Sequence, residues 1–307
     1  MDIFLQILLH TILPIAIMVI IGAGVQRAFK PDLRTLSNLI FYVFSPAIMF
    51  KMLYESDITL EVAGQAVLFF LVFFALLLVI AEIYIRLRGI KGGLSVSVRN
   101  SIIFYNSANF GIPLNQLVFA ANPFTMTIQL IIMMFQNILP YTLGIYMINA
   151  HKMRAVDAIK VVFTYPPIYV IPFALACKGF EVPIPEPVYI ALDYVTNAFI
   201  GVALLTLGAQ LGNMKWRVSK IDILTASIAL RLVVSPALGF LVVWLLGLKG
   251  LLAQALVLSC AVPTSLSSML LAVQFDNEPD FASQAVFVST LLSVFTVSAT
   301  IALIRYL

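Results

Sequence analysis

Two prolines stand in polar surroundings inside otherwise apolar stretches. One stretch reads Asn100-Ser-Ile-Ile-Phe-Tyr-Asn106-Ser107-Ala-Asn109-Phe-Gly111-Ile-Pro113-Leu-Asn115-Gln116, the other Ser259-Cys-Ala-Val-Pro263-Thr264-Ser265-Leu-Ser267-Ser268. Proline carries no N–H, so in a helix Pro113 strips the Asn109 carbonyl of its partner, and Pro263 does the same to Ser259. A helix restarting after each proline offers free N–H groups and a positive dipole end. Two such ends suit the binding of an anion, without a buried lysine. They do not suit bond-breaking chemistry. There is no Gly-x-Ser-x-Gly turn, no His–Asp pair to serve Ser265 and no phosphate-binding loop. His10 and His151 form no metal set, and Cys177 and Cys260 make neither a disulfide framework nor a metal motif. The sequence therefore implies no enzyme and no cofactor.

The elements that must hold these prolines are membrane helices. Hydrophobic residues make up 62% of the 307-residue chain and charged residues 10%, against about 25% charged in a soluble domain. Such a chain cannot cover its surface with polar groups, so its surface must face lipid. A spanning helix needs ~20 mostly apolar residues. Ten stretches qualify, at 4–26, 35–54, 62–85, 97–119, 126–149, 159–178, 189–212, 221–247, 250–274 and 281–305. The first reads as a span rather than a signal peptide, because no Lys or Arg precedes it and its apolar part is long. The loops are short, so 1–307 forms a single all-α membrane domain. The net charge of +4 is too modest to point to nucleic acid. Its distribution says more. Loops 1–2, 3–4, 5–6 and 7–8 carry thirteen Lys and Arg residues and the opposite side four. The positive-inside rule places the thirteen in the cytoplasm and both termini outside the cell.

Five spans per half is an odd number, so a two-fold repeat would have to be inverted, a common plan among secondary transporters. Two coincidences support halves of 1–150 and 156–307. Thr11-x-x-Pro14 in span 1 matches Thr164-x-x-Pro167 in span 6. Gly111-Ile112-Pro113 in span 4 matches Ala261-Val262-Pro263 in span 9. Arg231 falls near the middle of span 8, where an arginine costs ~2.5–3.5 kcal/mol and is usually paired or functional. By depth, Asp193 in span 7 and Glu82 in span 3 are its expected partners, in structural pairing or in coupling. Lys51 is expected to snorkel to the outer surface, and Asp222 to sit at the N-terminal end of span 8.

At these residues the chain resembles the auxin efflux carrier family, which includes bacterial permeases for malonate-like acids. Four places carry the resemblance: Asn106-x4-Gly111-Ile112-Pro113-Leu114; Gln136-x4-Tyr141-Thr142; Thr196-Asn197-Ala198 leading to Leu207-Gly208; and Ala261-Val262-Pro263 followed by Glu278-Pro279-Asp280 and Gln284-Ala285-Val286-Phe287. The resemblance implies two inverted five-helix repeats with spans 4 and 9 crossing at their prolines. It implies a scaffold of spans 1, 2, 6 and 7 that often forms a homodimer. Spans 3–5 and 8–10 would move against it as an elevator. Asn106, Asn197, Gln136 and Tyr141 become candidate substrate contacts. With the crossing residues Asn109, Gly111, Pro113, Ser259, Pro263 and Thr264 they make up the expected site. The long loop of plant members is reduced here to His151–Lys160. Tyr165-Pro166-Pro167 stands where plant members have Asn-Pro-Asn, which favours a small carboxylate over auxin. The expected function is secondary transport of a small organic anion across the cell membrane, with coupling to H+ or Na+ left open. The alternatives are a sodium-coupled carrier of the bile-acid type, which would want acidic residues at the crossing, and a ligand-binding sensor that keeps a transporter fold.

Overall fold

The computed structural model describes residues 9, 13–55, 58–148, 167–213 and 220–307. Thr11, Thr164, Tyr165, Pro166, both histidines and the 5–6 loop cations lie outside the described residues. Helices and closed barrels are the only structures that satisfy every backbone group in lipid, and this chain is helical. α1 is Leu13–Phe29, α2 Leu33–Glu55, α3 Leu60–Leu87 and α4 Gly92–Ile103. α5 covers 107–118, and α6 is Pro123–Gly144 with Ile145–Ile148 continuing it. α7 is Pro167–Gly179, α8 Glu186–Gly212 and α9 Ile221–Leu245. α10 is Gly250–Cys260, α11 Leu266–Gln274 and α12 Pro279–Ile304. Among the described residues, six of these are long and apolar enough to cross a membrane: α2, α3, α6, α8, α9 and α12.

Among the described residues, complete π-helical turns occur at Ile40–Phe44, Ser107–Gly111, Pro140–Gly144 and Leu230–Val234. Three of them end just before Ser45-Pro46, Ile112-Pro113 and Ser235-Pro236. In each the residue before the proline donates one position further back than in an α-helix: Ser45 to Ile40, Ser235 to Leu230, and Ile112 to Ser107 as well as to its ordinary partner Ala108. The widened turn makes room for the pyrrolidine ring and re-pairs the backbone around it. These prolines therefore do not break their helices.

α1 lies against α8 with almost no space between the backbones. A Cβ on Gly208 would stand 2.0 Å from the Val19 carbonyl oxygen, and one on Gly22 would stand 2.2 Å from that of Leu205. Small residues permit such contact between membrane helices. Gly208→Ala is expected to cost at least ~1–3 kcal/mol, because backbone cannot yield as a side-chain tip can. Gly24→Ala is the matched control, with nothing within 4 Å of its Cβ. Thermal unfolding in detergent should show a loss for the first and none for the second.

α3 supplies an aromatic wall behind the polar centre. Phe70 stacks on Phe135 of α6 with centroids 4.7 Å apart, and Phe73 meets Tyr105 edge-on at 6.3 Å. The ion pairs differ from the expected ones. Asp193 pairs with Lys51, so Lys51 ties α2 to α8 instead of snorkelling, and it lies 5.3 Å from the Tyr189 ring. Glu82 pairs with Arg99. Neither carboxylate serves Arg231. Depth along the membrane placed all of them within reach, but direction around each helix decides the partner, and depth does not supply it. Asp222 does lie in the first turn of α9, where it pairs with Arg88.

Candidate binding site at the helix crossing

The polar centre is a crossing of two unwound segments, 104–106 between α4 and α5 and 261–265 between α10 and α11. They run antiparallel, with Tyr105 opposite Thr264. The Asn106 N–H donates to the Pro263 carbonyl at 2.8 Å, and the Ser265 N–H to the Phe104 carbonyl at 2.9 Å. Pro263 is thus at the crossing, as its sequence context implies, and α11 restarts beyond it. Pro113 is not. It sits inside α5, which begins at Ser107. Gly111-Ile112-Pro113 and Ala261-Val262-Pro263 therefore occupy different places: the first is helical, the second spans the break.

Unwinding frees carbonyls that the membrane interior cannot leave bare. Each of the following finds a donor. The Ser101 carbonyl accepts from Thr264 Oγ1 at 2.8 Å. The Ile103 carbonyl accepts from Gln136 Nε2 at 3.3 Å, while Gln136 Oε1 takes the Tyr105 N–H at 3.1 Å. The Thr264 N–H goes to Ser289 Oγ on α12 at 3.1 Å. The Ile102 carbonyl accepts from Arg231 Nη1 at 3.0 Å, and Arg231 Nη2 donates to the Cys260 carbonyl and to Ser235 Oγ. Arg231 is fully buried, with its guanidinium 4.6 Å from the centre of the Tyr105 ring.

Beside the crossing lies a cavity of about 50 Å³, which Tyr105 also lines. By the measure in which one water needs ~10–15 Å³ it holds several water-sized groups. The N-terminal ends of α5 and α11 both face it. Asn106 caps α5, its Oδ1 accepting the Asn109 N–H at 3.2 Å, and Ser265 caps α11, its Oγ accepting the Ser267 N–H at 3.1 Å. Asn109, Ser107 and Asn137 add polar groups, and Ser37 of α2 and Gln210 of α8 close the far wall. No charged side chain is among the described lining residues. Asn106 is 4% exposed, yet its Nδ2 has no hydrogen-bond partner among the described residues. A buried donor left so costs ~1–3 kcal/mol, which a bound acceptor would relieve. Ser37, Gln210 and Leu270 also border a larger space of about 700 Å³ that includes Arg34, Asn213 and Asp280. The Gln210 amide donates to Ser37 Oγ at 3.2 Å, bridging α2 and α8 between the two spaces.

Of the expected site residues, Asn106 and Asn109 line the cavity. Gln136 lies behind the crossing as a brace, and Pro263 and Thr264 form the crossing itself. Ser259 is buried and its hydroxyl donates to the Leu256 carbonyl at 2.7 Å. Gly111 lies where a Cβ would meet Gln129 Nε2 at 2.5 Å; that amide holds the Ser107 hydroxyl at 2.8 Å. Pro113 is buried within α5. Asn197 is exposed on α8 and does not line the cavity, so the structure does not bring it to the other candidates. The Tyr141 side chain lies outside the described residues. Ser37, Asn137 and Gln210 join the site without having been expected there: Gln210 is an isolated polar residue in an apolar stretch, while Ser37 and Asn137 stand beside Asn38 and Gln136.

A family described as membrane transport protein matches residues 150–301. An uncharacterized transporter of Methanothermobacter thermautotrophicus is 23% identical over 296 residues, which cover 93% of this chain and 94% of that one. Over residues 150–301 the chain is therefore similar to the membrane transport protein family. The match agrees with the resemblance to the auxin efflux carrier family. An uncharacterized transporter of Methanocaldococcus jannaschii is 24% identical over 160 residues, 51% of this chain and 52% of its own. A membrane transport protein needs a binding site within its helical part. The crossing, with its cavity and capped helix ends, is where described polar groups of this chain meet.

Proposed function

We propose that the protein is a secondary carrier of small organic anions that works by elevator-type alternating access in the cell membrane. The observation that carries this reading is a cavity lined by Asn106, whose buried Nδ2 has no partner among the described residues, and bordered by two helix N-termini and by no described carboxylate. Backbone N–H groups and dipole ends favour a negative group there. A cavity of about 50 Å³ suits a carboxylate on a short tail, of the malonate type, better than an auxin-like ring.

In this reading α4 with α5, and α10 with α11, are each one span broken at the crossing, which makes ten spans in two inverted repeats. α1, α2, α7 and α8 form the scaffold, and α3–α6 with α9–α12 form the moving part. The cavity takes Ser37, Ile40 and Gln210 from the first group and its other lining residues from the second. A substrate between the two groups would be carried when they slide. The larger space around Arg34 opens toward the side richer in basic residues, so this form faces the cytoplasm and both termini lie outside. Dimerisation through the scaffold is the assembly that the resemblance implies.

Thermal unfolding of the purified protein tests the reading. Two- to four-carbon carboxylates should raise the midpoint saturably, while the matched uncharged amides should not. Equal shifts with acids and amides, or none with either, would count against an anion site.

A further inference from the structure

The anion reading leaves Arg231 without a task, although it is the largest fully buried side chain described. Its surroundings are those of a cation site. The C-terminal ends of α4 and α10 converge on the guanidinium, and such ends are electronegative. The Ile102 carbonyl, the Cys260 carbonyl and the Ser235 hydroxyl supply oxygens, and the Tyr105 ring supplies a π-face. Among the described residues no carboxylate takes part; Asp193 and Glu82 are held by Lys51 and Arg99. In carriers with broken helices, unwound carbonyls and half-helix C-termini are the groups that coordinate a coupling ion.

We propose that Arg231 is a tethered cation permanently filling a monovalent-cation site at the crossing, so that sodium has no place there. Removing the side chain to Cβ would vacate the oxygens without rebuilding the backbone. A free sodium ion or guanidinium could then enter. The proposal does not rest on the anion reading: Arg231, Ile102, Ser235 and Cys260 are not among the lining residues of the cavity, and its readout uses no substrate.

Thermal unfolding of the full-length Arg231→Ala protein in choline, sodium, potassium and guanidinium chlorides, at matched ionic strength and low millimolar test cation, decides it. The expected result is a low midpoint in choline and saturable recovery of at least half the loss in guanidinium or sodium. The wild type should show no response to any of the cations, and Arg231→Lys should keep most of the stability. An Arg231→Ala midpoint equally low in every salt would overturn the proposal, as would saturable sodium stabilisation of the wild type. If Arg231→Ala does not accumulate, the yields of folded Arg231→Lys and Arg231→Met decide instead. Recovery by lysine alone supports a required charge, and equal yields refute it.

Discussion

Asn106→Asp is expected to lower anion uptake at least ~100-fold while leaving the thermal midpoint close to that of the wild type. The two carboxamide atoms do separate things. Oδ1 caps the helix by accepting the Asn109 N–H, and a carboxylate oxygen can do that equally well. Nδ2 is the unpaired donor, and aspartate replaces it with an acceptor. A hydrogen bond to a charged group is worth ~1.5–3 kcal/mol, and like charges close together add a repulsion of a few kcal/mol at an effective dielectric near 20. Together these exceed the ~2.7 kcal/mol that a 100-fold loss requires. The variant also predicts a direction with pH. As pH falls through the new carboxyl's pKa, the charge disappears and a hydroxyl donor takes the place of Nδ2. Uptake by Asn106→Asp should therefore rise toward acid, relative to the wild type under the same conditions. A variant as active as the wild type at neutral pH would remove Asn106 from the site.

Gln136→Leu is expected to act on stability instead, by about 2–6 kcal/mol. Leucine keeps the approximate volume but abandons the Tyr105 N–H and the Ile103 carbonyl. Each buried backbone group left without a partner costs ~1–3 kcal/mol, and water cannot substitute in this region. The loss should appear as a lower thermal midpoint and a lower yield of folded protein. If Gln136 contacted substrate instead of bracing the crossing, the variant would keep its stability and lose ligand-dependent stabilisation.

Much of the helical organisation was legible in the sequence, because apolar runs of membrane length leave few alternatives. The crossing was half legible. Pro263 does mark an unwound segment, and the Asn- and Ser-rich context does mark both segments. Pro113 misled, because a π-turn over Ser107–Gly111 absorbs it and moves the break to 104–106. Whether a proline breaks a helix or is absorbed depends on the turn before it, and composition does not fix that turn. Arg231 misled in another way. Its partners are backbone carbonyls and a serine, and a search for opposite charges cannot find carbonyls. The cavity needed the structure most. Ser37, Asn137 and Gln210 come from three helices distant in sequence, and only their packing shows that they meet at Asn106.

The central claim is that the cavity at Asn106 binds a small carboxylate and that the protein carries it across a bilayer. Uptake of labelled malonate into proteoliposomes loaded with unlabelled malonate, measured beside protein-free vesicles, is the direct test. The expected result is saturable exchange that other short carboxylates inhibit and that Asn106→Asp abolishes. Uptake no greater than in protein-free vesicles, for malonate and for the other two- to four-carbon carboxylates alike, would contradict the account.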